Sequence, residues 1–237
     1  TWTQTLRVNK AVSIIGAGND GDQTCDAGET CITGGWTATD TDRYLSSNYM
    51  LYFWIAVADR AASYDKDMRV SGFHFNLDSK VSGFYALNVD ATYPFTKFQF
   101  DNNVVLNSPC SSSSNAKRLM FMTYGEIYGV IHSNLWTGQN YTVNYGNGVR
   151  SWGITGKRVG SGKALFLEDN TFIQDKQCTV NLNLPPGGAI AANGSGIVSR
   201  YNTSSMGYNA GAMLTETLQN HGNNAHNSWS AMFLEAY

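Results

Sequence analysis

Glu168, Arg200 and Glu235 stand 32 and 35 residues apart, and His132 lies 36 residues before the first of them. Stacked on neighbouring strands, these side chains would form a column of carboxylate, guanidinium and carboxylate with an imidazole at one end. Two carboxylates two strands apart are separated by about 9–10 Å, the upper end of the range over which an acid and a base invert a glycosidic centre. His221 precedes the last member and is a further proton-carrying candidate. The same column also reads as ion pairing on a solvated sheet face, worth roughly 0.2–1 kcal/mol per pair.

A second constellation is the acidic stretch Asn19-Asp-Gly-Asp-Gln-Thr-Cys-Asp-Ala-Gly-Glu-Thr-Cys31. Asp20, Asp22, Asp26 and Glu29 offer the hard oxygen donors that Ca²⁺ takes, although their spacing departs from the twelve-residue EF-hand loop. A surface loop with solvated acids, closed by a Cys25–Cys31 disulfide, explains the same residues. Cys110 and Cys178 remain candidates for a second bridge.

What positions the column is a repeat. Phe98-Gln-Phe-Asp-Asn102, Val130-Ile-His-Ser-Asn134, Phe166-Leu-Glu-Asp-Asn170 and Val198-Ser-Arg-Tyr-Asn202 share an apolar first residue and Asn at the fifth, and Phe233-Leu-Glu-Ala-Tyr237 opens the same way. The starts at 98, 130, 166, 198 and 233 define a period suited to stacked repeats, none of which can bury its apolar face alone. A right-handed parallel β-helix follows, with Asn102, Asn134, Asn170 and Asn202 as a side-chain ladder at left-handed turns. Strand alternation turns Leu165 and Leu167 inward and sets Phe100, His132, Glu168, Arg200 and Glu235 outward.

Composition agrees with an all-β chain. Among 237 residues there are 24 Gly, 4 Pro and only 14% charged side chains, and the net charge is −2. No basic cluster offers a nucleic-acid surface. The longest apolar run, Met50–Ala58, is too short to span a bilayer and reads as a buried strand. One domain over 1–237 is expected, with 19–67 as a loop insertion between early coils and a long loop over 137–163. The chain opens in strand-like alternation and stops in mid-motif, as a piece of a longer protein would. Sequons at Asn140, Asn193 and Asn202 permit glycosylation, though the ladder claims Asn202.

The strand Val12-Ser-Ile-Ile-Gly-Ala-Gly18, after Trp2–Lys10, resembles the early coils of pectate-lyase-like β-helix proteins, and Arg69-Val-Ser-Gly-Phe-His-Phe75 resembles the coil that follows. That resemblance implies an extracellular or surface protein recognising a polysaccharide. It also implies lyase chemistry with Arg200 as base, Glu168 and Glu235 positioning it, and Ca²⁺ as an aid. A second class is a non-catalytic module of a phage appendage or cell-surface fibre, for which a homo-oligomeric spike is a common form.

Overall fold

The structure, a computed structural model, describes residues 4–34, 49–55, 59–78, 82–88, 93–108, 121–125, 127–138, 142–145, 163–174, 189–192, 197–206 and 232–235. Strands are dealt to three sheets in rotation. The first round is β1 (Leu6–Val8), β2 (Ser13–Ile15) and β3 (Thr30–Thr33), and the second is β4 (Tyr49–Trp54), β5 (Asp67–Ser71) and β6 (Phe73–Asn76). Then come β7 (Ser82–Asn88), β8 (Phe95–Asp101) and β9 (Val104–Ser108), followed by β10 (Phe121–Gly125), β11 (Ile127–His132) and β12 (Leu135–Gly138). The last rounds are β13 (Thr142–Tyr145), β14 (Leu165–Glu168) and β15 (Thr171–Gln174), and β16 (Ala189–Ala192), β17 (Ile197–Arg200) and β18 (Thr203–Met206). β19 (Met232–Glu235) extends the second sheet beyond β17.

Among the described residues every pairing is parallel, and the sheets hold six, seven and six strands. The fold is all-β, with one four-residue helix, α1 (Arg60–Ser63), among the described residues. Two of the expected loops are corrected. Segment 19–67 contains β3 and β4, and 137–163 contains β13, so both carry strands of the regular rounds. The apolar run from Met50, read as a buried strand, supplies β4, which is buried at Tyr49, Met50, Leu51 and Phe53 alike.

All three sheets bury one face in a common core. It joins Val8, Leu51, Phe53 and Phe84 of the first sheet to Val70, Phe98, Phe100, Ile131 and Leu167 of the second. Ile32, Phe75, Trp136 and Phe172 complete it from the third. Register places Ile32 beside Phe75, and Trp136 beside both Val105 and Phe172, so like faces stack from strand to strand. Trp136 lies nearly parallel to Phe172, 6.3 Å away at 10°, and 5.5 Å from Phe100. Burying such rings contributes about 2–3 kcal/mol each.

The step from second to third sheet is the most regular feature. One residue adopts a left-handed conformation, at Gly72, Asn102, Ser133, Asp169 and Tyr201, with φ between 50 and 77°. After the last four of these the next residue is the ladder asparagine, so the ladder consists of Asn103, Asn134, Asn170 and Asn202, while after Gly72 it is Phe73, whose backbone N–H donates to Asn103 Oδ1. Asn102 is displaced from the expected set, and it is the residue ahead of each asparagine that takes the left-handed turn. Nδ2 of Asn103, Asn134 and Asn170 donates to Oδ1 of the next asparagine at 3.1, 2.9 and 3.0 Å. Each of those oxygens also accepts the backbone N–H of the preceding asparagine at 2.9–3.2 Å. Nδ2 reaches back to a carbonyl as well: Val70, Phe100, Ile131 and Leu167 for the four in order. An amide is the side chain that can do all of this, because it carries a donor and an acceptor on one planar group. The expectation that Asn202 is claimed by the ladder agrees with these bonds.

Close stacking also explains two glycines. A Cβ on Gly16 would stand 2.2 Å from the Gly72 carbonyl oxygen, and one on Gly129 would collide with the Phe98 carbonyl.

Asn170→Ala would strip acceptors from the Asn134 backbone N–H, the Asn134 amide and the buried Trp136 Nε1. Unsatisfied buried groups cost about 1–3 kcal/mol each, so urea unfolding should show a loss of about 3–5 kcal/mol. Asn202→Ala, at a half-exposed rung where water can substitute, should lose about 1–2 kcal/mol. Losses under about 1 kcal/mol for both would show that the ladder is not what holds the sheets in register.

Candidate functional site

Register settles the column on the outer face of the second sheet. Ile15, Ser71, Asp101, His132, Glu168, Arg200 and Glu235 align in that order. His132, Glu168, Arg200 and Glu235 therefore occupy successive positions as expected, and Phe100 does not belong with them. Phe100 is fully buried against Phe84 at 4.6 Å, and Asp101 takes its place. The Asn102-Asn103 doublet is the cause, since either residue fits the fifth position and the second one is used.

Asp101 is the centre of a network that the sequence did not reveal. Arg69 reaches diagonally from β5 to β8 and grips Asp101 side-on, Nε to Oδ1 at 2.8 Å and Nη2 to Oδ2 at 2.6 Å. Ser71 Oγ and Asn102 Nδ2 donate to Oδ2 at 2.9 and 2.7 Å. Burial pushes this carboxyl up, but the bonds from Arg69, Ser71 and Asn102 together outweigh it and hold its pKa below the usual carboxylate value. The bonds to Asp101 raise the Arg69 pKa in return. Placing Met68–Asn76 in the repeat frame would have set Ser71 beside Asp101, and that is the signal through which the network was legible.

Further along, Arg200 donates through Nε and Nη2 to the same Glu168 oxygen, Oε1, at 2.7 and 2.6 Å. Its guanidinium also lies 5.3 Å from the Phe166 ring centroid and 5.6 Å from that of Tyr201. A carboxylate and two ring faces all favour the cation, so Arg200 is built as a fixed donor and is a poor proton acceptor. His132 Nδ1 sits 3.1 Å from Ser133 Oγ. Glu235 is placed by backbone register next to Arg200, whereas His221, Cys110, Cys178, Asn140 and Asn193 lie outside the described residues.

The acidic loop divides the four expected metal ligands. Asp20, Asp22 and Asp26 are exposed and offer oxygens within 4.8 Å of one another. Glu29 belongs to a second group with Cys25, Cys31 and His74. Cys25 and Cys31 are joined as a disulfide, their Cα atoms 6.2 Å apart. Glu29 accepts the backbone N–H of Asp20 on Oε1 at 2.9 Å and that of Asp26 on Oε2 at 2.8 Å, which pins the loop. Those bonds, Asp26 first, lower its pKa, and the Thr24 backbone N–H lowers that of Asp22.

This loop forms one wall of a cleft of about 610 Å³. Asn19, Asp22 and Gln23 face the corner residues Ser133 and Asp169 across it. Its floor is the outer face of the third sheet, where register aligns Val104, Leu135 and Thr171, with Ile173 alongside. Hydroxyl, amide and carboxylate groups surround apolar patches, and among the described residues the lining contains no Lys or Arg. The cleft was not legible in the sequence, because it joins a first-round loop to corners more than a hundred residues later.

No family model, curated protein or solved structure matches the chain.

Because the folded pKa of Asp101 is depressed, its contribution is present above the unfolded value near 3.9 and is lost as pH falls through the lower folded value. Arg69 is 39% exposed, so water recovers part of any loss. Asp101→Asn should cost about 2 kcal/mol at pH 7 in urea unfolding. The gap to the parent protein should narrow as the pH is taken below about 4. A gap independent of pH would mean that the pair is not the source.

Proposed function

We propose that the three sheets close into a right-handed parallel β-helix of the pectate-lyase-like kind, and that the chain is an extracellular or surface module that binds a glycan in the cleft beside the acidic loop. Rotation of the strands among three sheets, the shared core and the asparagine ladder all support the helical closure, and parallel crossovers are almost always right-handed. The cleft carries the functional reading. It runs across several strands, as an extended chain requires, and pairs fixed hydroxyl, amide and carboxylate groups with apolar patches.

The charges of the lining favour a neutral, hydroxyl-rich glycan over an acidic one, since Asp22 and Asp169 would repel uronic carboxylates. They also favour binding over elimination. Arg200, the base that the lyase reading requires, is committed to Glu168, and the column lies on a different sheet from the cleft floor. Ca²⁺ has no part in this reading, as three exposed carboxylates alone do not argue for it. The chain's second class, a rigid module of a virion or cell-surface fibre, is compatible with glycan binding, because such a spike presents its outer faces to a surface.

The test is affinity electrophoresis through neutral and acidic polysaccharides, with the ultraviolet absorbance of unsaturated products followed in parallel. Retardation by a neutral glycan without product absorbance is expected. Leu135→Trp, which fills the cleft floor, should weaken that binding at least tenfold, about 1.4 kcal/mol, while Arg200→Ala leaves it within twofold. Product absorbance that disappears in Arg200→Ala would instead establish a lyase on the outer column. Absence of binding to any glycan would leave the fibre module.

A further inference from the structure

His74 is buried to 2% exposure beneath the acidic loop, and neither ring nitrogen makes a hydrogen bond. Leaving polar nitrogens unsatisfied in the interior is costly. Valine follows it in the same register column, at Val104, so an apolar residue is accommodated at this face. What surrounds the ring explains why an imidazole stands there. Cys31 lies opposite it in the β3–β6 register, with Cys25 bonded to Cys31. Glu29 Oε2 is 3.6 Å from His74 Nδ1. Two sulfurs, one imidazole nitrogen and one carboxylate oxygen thus lie within 4.8 Å of one another.

That 3.6 Å separation is too long for a hydrogen bond. It is close to the edge of a tetrahedron around zinc, about 3.4 Å for bonds of about 2.0–2.2 Å to nitrogen and oxygen. The donor set is also zinc's: soft thiolates, imidazole and one carboxylate. Glu29 is held from outside, its two oxygens accepting the Asp20 and Asp26 backbone N–H groups, as carboxylate ligands are in built sites. Asp20, Asp22 and Asp26 stand on the same loop and attract a cation electrostatically.

We propose that Cys25, Glu29, Cys31 and His74 form a four-ligand Zn²⁺ site that opens when the Cys25–Cys31 disulfide is reduced. In the disulfide form each sulfur is bonded to the other and the site is closed. A dithiol reductant transfers two electrons and two protons, becoming a disulfide itself while the Cys25–Cys31 bond breaks to two thiols. Zinc then displaces both thiol protons to solvent and is bound by two thiolates, the Glu29 carboxylate and His74. The same loop is a wall of the cleft, so its redox and metal state would set that wall, but the site stands independently of what the cleft binds.

Co²⁺ is the probe, since thiolate ligation gives a near-ultraviolet charge-transfer band and tetrahedral geometry gives strong visible bands. The full chain is reduced with a phosphine, which takes oxygen from water as it leaves two thiols, and the reagent is removed by gel filtration under argon. One Co²⁺ per chain with both signatures, displaced by Zn²⁺, is expected for reduced protein and no such bands for the disulfide form. Cys25→Ser/Cys31→Ser, which retains Cys110 and Cys178, should lose the charge-transfer band. His74→Leu, which keeps an apolar fill and hence the fold, should bind at least tenfold more weakly. If the reduced parent protein binds no more Co²⁺ than the double-serine variant, or if His74→Leu binds equally well, the proposal is overturned.

Discussion

The amide-to-amide hydrogen bond between Asn134 and Asn170 is the interaction on which the rest of the structure depends. The Asn134 and Asn170 side chains each bond three backbone groups as well as the neighbouring rungs, so the ladder ties the corner of one round to the next. At Asn103, Asn134 and Asn170 the ladder runs through the interior, where water does not compete for its bonds. The same rungs allow a turn of two residues between the second and third sheets. That turn places Ser133, Asp169 and Tyr201 in left-handed conformations, which cost a non-glycine residue about 1–2 kcal/mol. The rungs overdetermine the corner and make that strain tolerable.

Once the corner is fixed, both outer faces follow. Residues just before it, at Asp101, His132, Glu168 and Arg200, end on the second sheet. Residues just after the asparagine, at Val104, Leu135 and Thr171, begin the third. The two faces have opposite characters. On the second sheet, charges are consumed by one another, Arg69 with Asp101 and Arg200 with Glu168. On the third, neutral donors and apolar side chains lie open beneath a loop. A face whose charged groups are already paired has little left to offer a ligand, which is why the cleft outranks the column as the site of recognition.

The acidic loop illustrates how one residue type serves different ends. Asp20 and Asp22 fold the loop back on itself by accepting the backbone N–H groups of Asp22 and Thr24 in turn. Glu29 turns inward, pins both ends and meets His74 and the cysteines. Four acids that look equivalent along the chain thus divide into an exposed cluster and a half-buried, oriented carboxylate.

Period and residue type alone determined that the chain is all-β, that apolar residues such as Leu165 and Leu167 face a core, and that asparagines stack. They also determined the order His132, Glu168, Arg200, Glu235, because parallel strands at a constant repeat carry like positions into register. Tertiary structure decided whatever depended on a choice between adjacent residues or on distant segments meeting. Asn103 was selected over Asn102 by the left-handed turn ahead of it, and that one-residue step moved Phe100 into the core and turned Asp101 to the opposite face of the sheet, where Arg69 and Ser71 bond it. Strands β3 and β13, each four residues long, were legible only as partners, whereas the apolar run of β4 marked it as a buried strand. The cleft and the His74 cluster join residues brought together by packing, and local sequence carries no trace of a contact made across so many rounds.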